Sequence, residues 1–348
     1  MTMRRFIFLS ILFWCATLVV TAQTTDSIAR DLLNRGEWFE LRRYCDTHKH
    51  GMSHDMKKET GERLCNVFGV KRKWSKTKHG IVIPFRLDSV GTGADRSVAI
   101  MMPATVNGHR ADFMLDTGAS INVVSPSVAE QLGLKITEEN INVEGNHTTT
   151  GKRAMADTLR IGNMTLRNVT FYIMDMSSGV DSIDRHMHHL DAIMGLSLIE
   201  QLQTCEIDFT RHTIRTVAGS DDNEPNICYL PGEKTLTMEA WHTGEPLHVI
   251  PDTGASHSTL DCTYLSGHGS RMVADGVDSV RYAGFGGIIS GHEYRLTDFE
   301  ITVGHTYYTL PRITVFDGQY GQRLGMDYFS RMERVFIDLR KMQVRVIR

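Results

Sequence analysis

The sequence predicts a mainly β protein, built as two homologous β lobes in tandem and preceded by a small α-helical region. Three observations predict this. The run "DTGAS" occurs twice, at 116–120 and 252–256, each time after an apolar stretch. Short segments rich in branched residues, bounded by Gly, Asn or Asp, follow one another from residue 80 and restart after 220. Residues 192–217 also lie on residues 322–347 without a gap. Gly195 then meets Gly325, Ile207-Asp208 meets Ile337-Asp338, and Leu202 and Ile214 meet Met332 and Val344.

Composition sets the outer limits. A chain of 348 residues has room for two domains. Its 41% hydrophobic and 23% charged content is ordinary for a globular protein. The net charge of −3 argues against nucleic acid as a partner, because phosphate binding needs a positive surplus on some face.

The chain opens as an export signal, residues 1–22: "MTMRR" is the positive start, "FIFLSILFWCATLVV" the apolar run, and "VVTAQ" the small-residue cleavage context. Cleavage is expected after Ala22, giving an exported protein, periplasmic or secreted. The apolar run is shorter than a comfortable span of about 20 residues, so no stable membrane span is expected after signal removal. Cys15 leaves with the signal. The remaining Cys45, Cys65, Cys205, Cys228 and Cys262 are odd in number and contain no C-x-x-C pair. They read as core residues with one optional bridge, Cys45–Cys65.

Residues 23–78 form a helical region and basic linker. Ile28, Leu32 and Leu33 fall on one helical face, Gly36 breaks the pattern, and Trp38, Leu41 and Cys45 resume it. Ser53 is placed to cap a further helix and Gly69 to stop it. The linker "VKRKWSKTKHG" reads as a solvated connector.

The first lobe is assigned to 79–220 and the second to 221–348. Its expected strands are "IVIPFRL", "VAIMMPATV", "ADFML", "INVEG", "DTLRI" and "VTFYIMD" in the first copy. In the second they are "KTLTMEAW", "LHVI", "DSVRYAG", "YRLTDFEITVG" and "YTLPRITVF". Asn107-Gly108 signals a hairpin. The stretch 218–234 is polar and turn-rich and is expected to join the copies.

One Asp-Thr-Gly alone reads as a surface turn with a local hydrogen bond. Two of them, at matching points of a duplicated unit, would meet at an approximate twofold axis. Asp116 and Asp252 would then face each other. Two facing carboxyls do not easily both ionise, so they share a proton and titrate together. The ionised member can take a proton from water attacking an amide carbonyl, and the protonated member can donate to that carbonyl. Thr117 and Thr253 would brace the loops, and Gly118 and Gly254 would permit close approach. This chemistry requires no cofactor and no metal.

These motifs resemble those of aspartic proteases of the retropepsin and pepsin clan, particularly the bacterial type with two retropepsin-like lobes in one chain. The resemblance covers about residues 80–348: "LDTGAS" and "AIMGLSLI" in the first half, "DTGAS" and "QRLGMDYF" in the second. Ala119 and Ala255 follow the retroviral form of the motif. The resemblance implies retropepsin/pepsin-like β-barrel lobes, an aspartic endopeptidase (a hydrolase), Asp116 and Asp252 as catalytic residues, and a peptide or protein substrate. It also implies flaps at the Gly-bearing hairpins, with tips near Gly145–Gly151 and Gly284–Gly291, and Gly286 and Gly287 within the second. A basic prosegment covers the acidic pair in pepsin-like zymogens. Residues 23–78 are therefore read as a helical accessory region, with a prosegment or partner-binding role as the alternative.

Two departures stand in the second half. Pro251 lacks the N–H of the usual apolar residue, so a ladder bond is expected to be lost. Arg323 replaces the first member of the apolar pair and is expected to expose or rearrange the helix start; neither departure is expected to touch a carboxylate. These are what a rival reading would cite, that of a decayed protease fold acting as a peptide- or partner-binding module. The histidines His186, His188 and His189, and His268, read as solvated loop residues rather than metal ligands. No nucleophile-elbow motif is present.

Overall fold

The structure, a computed structural model, describes residues 24–70, 72, 80–91, 96–143, 148–176, 191–219, 224–231, 235–268, 276–284, 287–319 and 321–348. It divides into two units, Met1–Lys73 and Trp74–Arg348. The expected signal peptide, most of the basic linker and the cluster of His186, His188 and His189 lie outside the described residues.

The first unit holds helices α1 (24–35), α2 (Trp38–His48) and α3 (His54–Val67). They are held by an apolar cluster of Ala29, Leu41, Met52 and Met56, with Leu32, Leu33, Trp38 and Cys45 packed against it. The buried stripe of α1 is centred on Ala29, and Ile28, expected on that face, is 43% exposed. The Ser53 hydroxyl accepts the Met56 N–H, as a helix cap does. Gly69, at φ +64°, ends α3. Cys45 and Cys65 are both free thiols, so the optional bridge is not formed.

In the second unit, the first lobe comprises β2 (Arg86–Val90), β3 (Ser97–Val106), β4 (His109–Leu115), β5 (Val123–Val124), α4 (Pro126–Gln131), β6 (Lys135–Val143), β7 (Thr149–Ile161), β8 (Met164–Ile173) and β9 (Ala192–Met194). Before it lies β1 (Val82–Pro84), and after it α5 (Leu196–Leu202), β10 (Thr204–Asp208) and β11 (Thr213–Thr216). The second lobe comprises β12 (Ile227–Tyr229), β13 (Leu236–His242), β14 (Glu245–Pro251), β15 (Thr259–Leu260), α6 (Cys262–His268), β16 (Gly276–Gly284), β17 (Gly287–Val303), β18 (Thr306–Phe316) and β19 (Arg323–Leu324). It is followed by α7 (Met326–Phe329), β20 (Arg334–Asp338) and β21 (Gln343–Ile347).

The lobes are duplicates in topology. One eight-stranded sheet runs β2-β3-β4-β9-β5-β8-β7-β6 and folds back on itself through β3–β7. The other runs β12-β13-β14-β19-β15-β18-β17-β16 and folds back through β13–β17. Turn chemistry is repeated too. Asn107-Gly108 joins β3 to β4 with both φ angles positive, and Thr243-Gly244 does the same between β13 and β14. Strand β14 shows why such segments form sheet: Leu247, Val249 and Pro251 are buried while the residues between them are not.

A third sheet, β1-β11-β10-β20-β21, joins the copies, because β10 of the first pairs antiparallel with β20 of the second. It forms the floor beneath both lobes' acidic turns. The segment expected only to join the copies contains a buried strand, Ile227–Tyr229, which edges the second sheet. Its three apolar residues are too few to stand out among polar neighbours.

Candidate active site

Each acidic turn leaves the end of a strand, β4 in the first lobe and β14 in the second. The strand beside each is short and parallel, in the same register in both lobes: Leu115 lies opposite Met194 and Pro251 opposite Leu324. The Asp116 N–H donates to the Met194 carbonyl at 3.0 Å, and the Asp252 N–H to the Leu324 carbonyl at 2.9 Å. Each helix after the short strand is tied back to its turn, Leu196 N–H to Ala119 O at 2.7 Å and Met326 N–H to Ala255 O at 2.8 Å.

The two turns meet face to face. The Thr117 N–H donates to the Thr253 hydroxyl at 3.1 Å, and the Thr253 N–H donates to the Thr117 hydroxyl at 3.0 Å. Each hydroxyl then donates across the interface, Thr117 to the Pro251 carbonyl at 2.5 Å and Thr253 to the Leu115 carbonyl at 2.9 Å. Below them the space is apolar, lined by Ile207, Phe209, Phe329, Val335, Ile337 and Val344.

Gly118 and Gly254 lie against the opposite carboxyls. A Cβ on Gly118 would stand 2.5 Å from Cγ of Asp252, and one on Gly254 would overlap the Asp116 carboxyl. Any side chain at either place would displace an aspartate. The Asp116 and Asp252 carboxyls are neighbours, each lying against the glycine of the opposite turn. Burial, then the neighbouring charge of Asp252, pushes the Asp116 carboxyl up to about 8, against the pull of N–H donors from Ala119 and Gly118. Asp252 is buried, and its Oδ1 accepts the N–H groups of Gly254 at 2.9 Å and Ala255 at 3.0 Å. Its Oδ2 is ion-paired with Nε of Arg323 at 3.1 Å.

Neither departure breaks the pairing of β14 with β19, but Arg323, expected to touch no carboxylate, reaches Asp252. The bonds from β14 to β19 are donated by Ile250 and Asp252, so position 251 is not one that faces β19 and no bond to that strand is lost. The carbonyl of Pro251 is used by Thr117. Arg323 leaves the start of α7 as regular as that of α5, and its side chain is only 22% exposed because it turns toward Asp252.

The Gly-bearing hairpins are β6–β7 and β16–β17. The first is paired as far as Val143 with Thr149, and the second as far as Gly284 with Gly287. Gly145 and Gly286 lie outside the described residues. Gly151 is within β7 rather than at a tip, where a Cβ would stand 2.8 Å from the Ile173 carbonyl oxygen. Its role is close packing.

Two supporting residues were not singled out from sequence. The Asn122 side-chain oxygen accepts from Gly195 N–H at 3.1 Å and from the Ser197 hydroxyl at 2.7 Å. In the second lobe the Ser258 hydroxyl accepts from Gly325 N–H at 2.9 Å and donates to Asp327 at 2.6 Å. Burial lifts the Asp327 carboxyl above its ordinary range. Asn122 and Ser258 stand at the same offset after their aspartates, which was the available signal.

No curated protein matches the chain. A solved structure described as a retropepsin-like aspartic protease from Rickettsia conorii is similar over 41% of this chain and 93% of its own, at 23% identity and a TM-score of 0.26. Residues 102–198, which carry the first acidic turn and the start of α5, match the family described as Aspartyl protease.

Proposed function

We propose that the protein is an aspartic endopeptidase, in which Asp116 and Asp252 activate water for attack on a peptide bond. The observation that carries this is the pair of neighbouring buried carboxyls, each set against the glycine of the opposite turn, between turns whose threonines bond reciprocally. The family match over residues 102–198 supports a protease of this type.

The chemistry needs one proton on the pair. The ionised carboxylate takes a proton from water as its oxygen bonds to the amide carbon, and the protonated carboxyl gives its proton to the carbonyl oxygen. A gem-diol results. On its collapse the amide nitrogen takes the proton held by the former base, the C–N bond breaks, and a hydroxyl proton returns to the former acid. Water and amide become carboxylic acid and amine, and the pair regains its starting state. The apolar floor and the burial of the pair raise the strength of each of these interactions.

The proposed substrate is a peptide or protein. Residues 23–78 are proposed as a helical accessory region of an exported protein, periplasmic or secreted. No described helix is long and apolar enough to cross a membrane. A chain starting near Gly80 should match the longer one in activity at every pH; greater activity would make the region an inhibitory prosegment.

The experiment is peptide cleavage by the mature protein beside Asp116→Asn and Asp252→Asn. Both variants should lose cleavage by at least about 10²-fold, the scale of removing an acid or base. Cleavage persisting in either would end the proposal. Retained peptide binding with no cleavage by the unsubstituted protein would favour the decayed, binding-only fold.

A further inference from the structure

The two lobes differ in the charge brought to their aspartates by the short strand beside each turn. Where the first lobe has Ile193 opposite Met114, the second has Arg323 opposite Ile250. Ile193 packs in an apolar cluster with Met101, Met114, Val123 and Met174. Arg323 instead ion-pairs with Asp252, Nε to Oδ2 at 3.1 Å, while its Nη1 donates to the Gly321 carbonyl at 3.1 Å. Its backbone is fixed between β14 and β15, since Arg323 is opposite both Ile250 and Thr259. The guanidinium is thus held in place before any substrate arrives.

The carboxyls therefore receive unequal sets of donors. Asp116 takes backbone N–H groups from Ala119 and Gly118. Asp252 takes backbone N–H groups from Gly254 and Ala255, and the guanidinium as well. The charged groups brought to Asp252 among the described residues are Asp116, from the turn after β4, and Arg323, from β19. His257 in the turn and Asp327 on α7 interact with each other, and Asp327 is held by Ser258. An adjacent cation favours the ionised form of a carboxyl, and so do hydrogen bonds to that form.

We propose that Arg323 is a positioning residue that fixes the proton of the pair, holding Asp252 as the carboxylate and leaving the proton on Asp116. Resting on the endopeptidase reading, this assigns Asp252 as the base that takes the proton from water and Asp116 as the acid that protonates the carbonyl oxygen. The arginine touches neither water nor peptide in this role. A symmetric pair shares its proton between two equivalent states; here the duplication supplies the symmetry and Arg323 removes it.

The test is carbon-13 titration of the aspartate carboxyls in the mature protein and in Arg323→Leu, Arg323→Gln and Arg323→Lys, read beside the pH profile of kcat/KM for peptide cleavage. Asp116→Asn and Asp252→Asn assign the signals. In the Leu and Gln variants the first titration of the pair, and the acid limb of the profile, should both move to higher pH by about 1–3 units. The Lys variant should recover most of that shift. Gln keeps the unbranched stem and a polar end, so a Leu variant that misfolds does not remove the test. An unmoved titration in the neutral variants overturns the proposal, as does a Lys variant that behaves like them. The titration needs no substrate, so a protein that cleaves nothing would defeat the endopeptidase reading while this result still stood or fell by itself.

Discussion

Thr117 and Thr253 exchange hydrogen bonds across the lobe interface, each hydroxyl accepting the other residue's N–H while donating to a carbonyl of the opposite strand. Four backbone groups where the two lobes meet, two N–H and two carbonyls, are partnered by these two hydroxyls.

Replacing either threonine with valine keeps the shape and removes the hydroxyl. Each single variant leaves one N–H and one carbonyl buried without a partner, at a cost of about 1–3 kcal/mol per orphaned group. Chemical denaturation of Thr117→Val, Thr253→Val and the double variant measures this. The double variant should cost less than the sum of the singles, because they share one network.

Gly118→Ala sets a methyl group against the Asp252 carboxyl. The carboxyl must move by an ångström or so, and displacement on that scale at a reacting centre costs about 10²-fold in rate. Peptide cleavage should fall accordingly, with the two-lobed fold retained by circular dichroism. Gly254→Ala should act in the same way through Asp116. Wild-type kcat/KM in both would mean that the carboxyls are not where the reaction occurs.

Folding lifts the Asp116 carboxyl from its ordinary 3.8 to about 8. Through that window the folded state binds the proton that the unfolded state has lost. The contribution to stability is therefore complete below about pH 4 and is lost as pH rises through 8. Asp116→Asn removes the titration. The variant's Tm should rise relative to wild type between those limits, in melting curves taken across the range. Cleavage by wild type should also fade above about pH 8, as the pair gives up its last proton.

The duplication was legible because it is written twice in residues with strong local meaning. The identical turns and the ungapped overlay of 192–217 on 322–347 correspond to matched strand registers, Leu115 with Met194 and Pro251 with Leu324. Segments lacking contrast were harder to read. Most of β6 is exposed along its length, so Lys135–Val143 shows no alternation, and only its end was recognised in "INVEG". The pairing of β10 with β20 joins strands far apart in the chain, and nothing local to either encodes it. Arg323 was visible as an intruder in an apolar motif, and its partner was not. A cation on a short strand finds Asp252 only once the parallel register beside β14 is known.

The strand pairing of β10 with β20 has one more effect. Both halves of the acidic pair belong to one covalent chain and are stitched by main-chain hydrogen bonds, so their meeting is a unimolecular event. A pocket assembled from two separate chains empties on dilution as its subunits part. This one is expected to keep its specific activity per molecule down to the lowest concentrations at which it can be assayed.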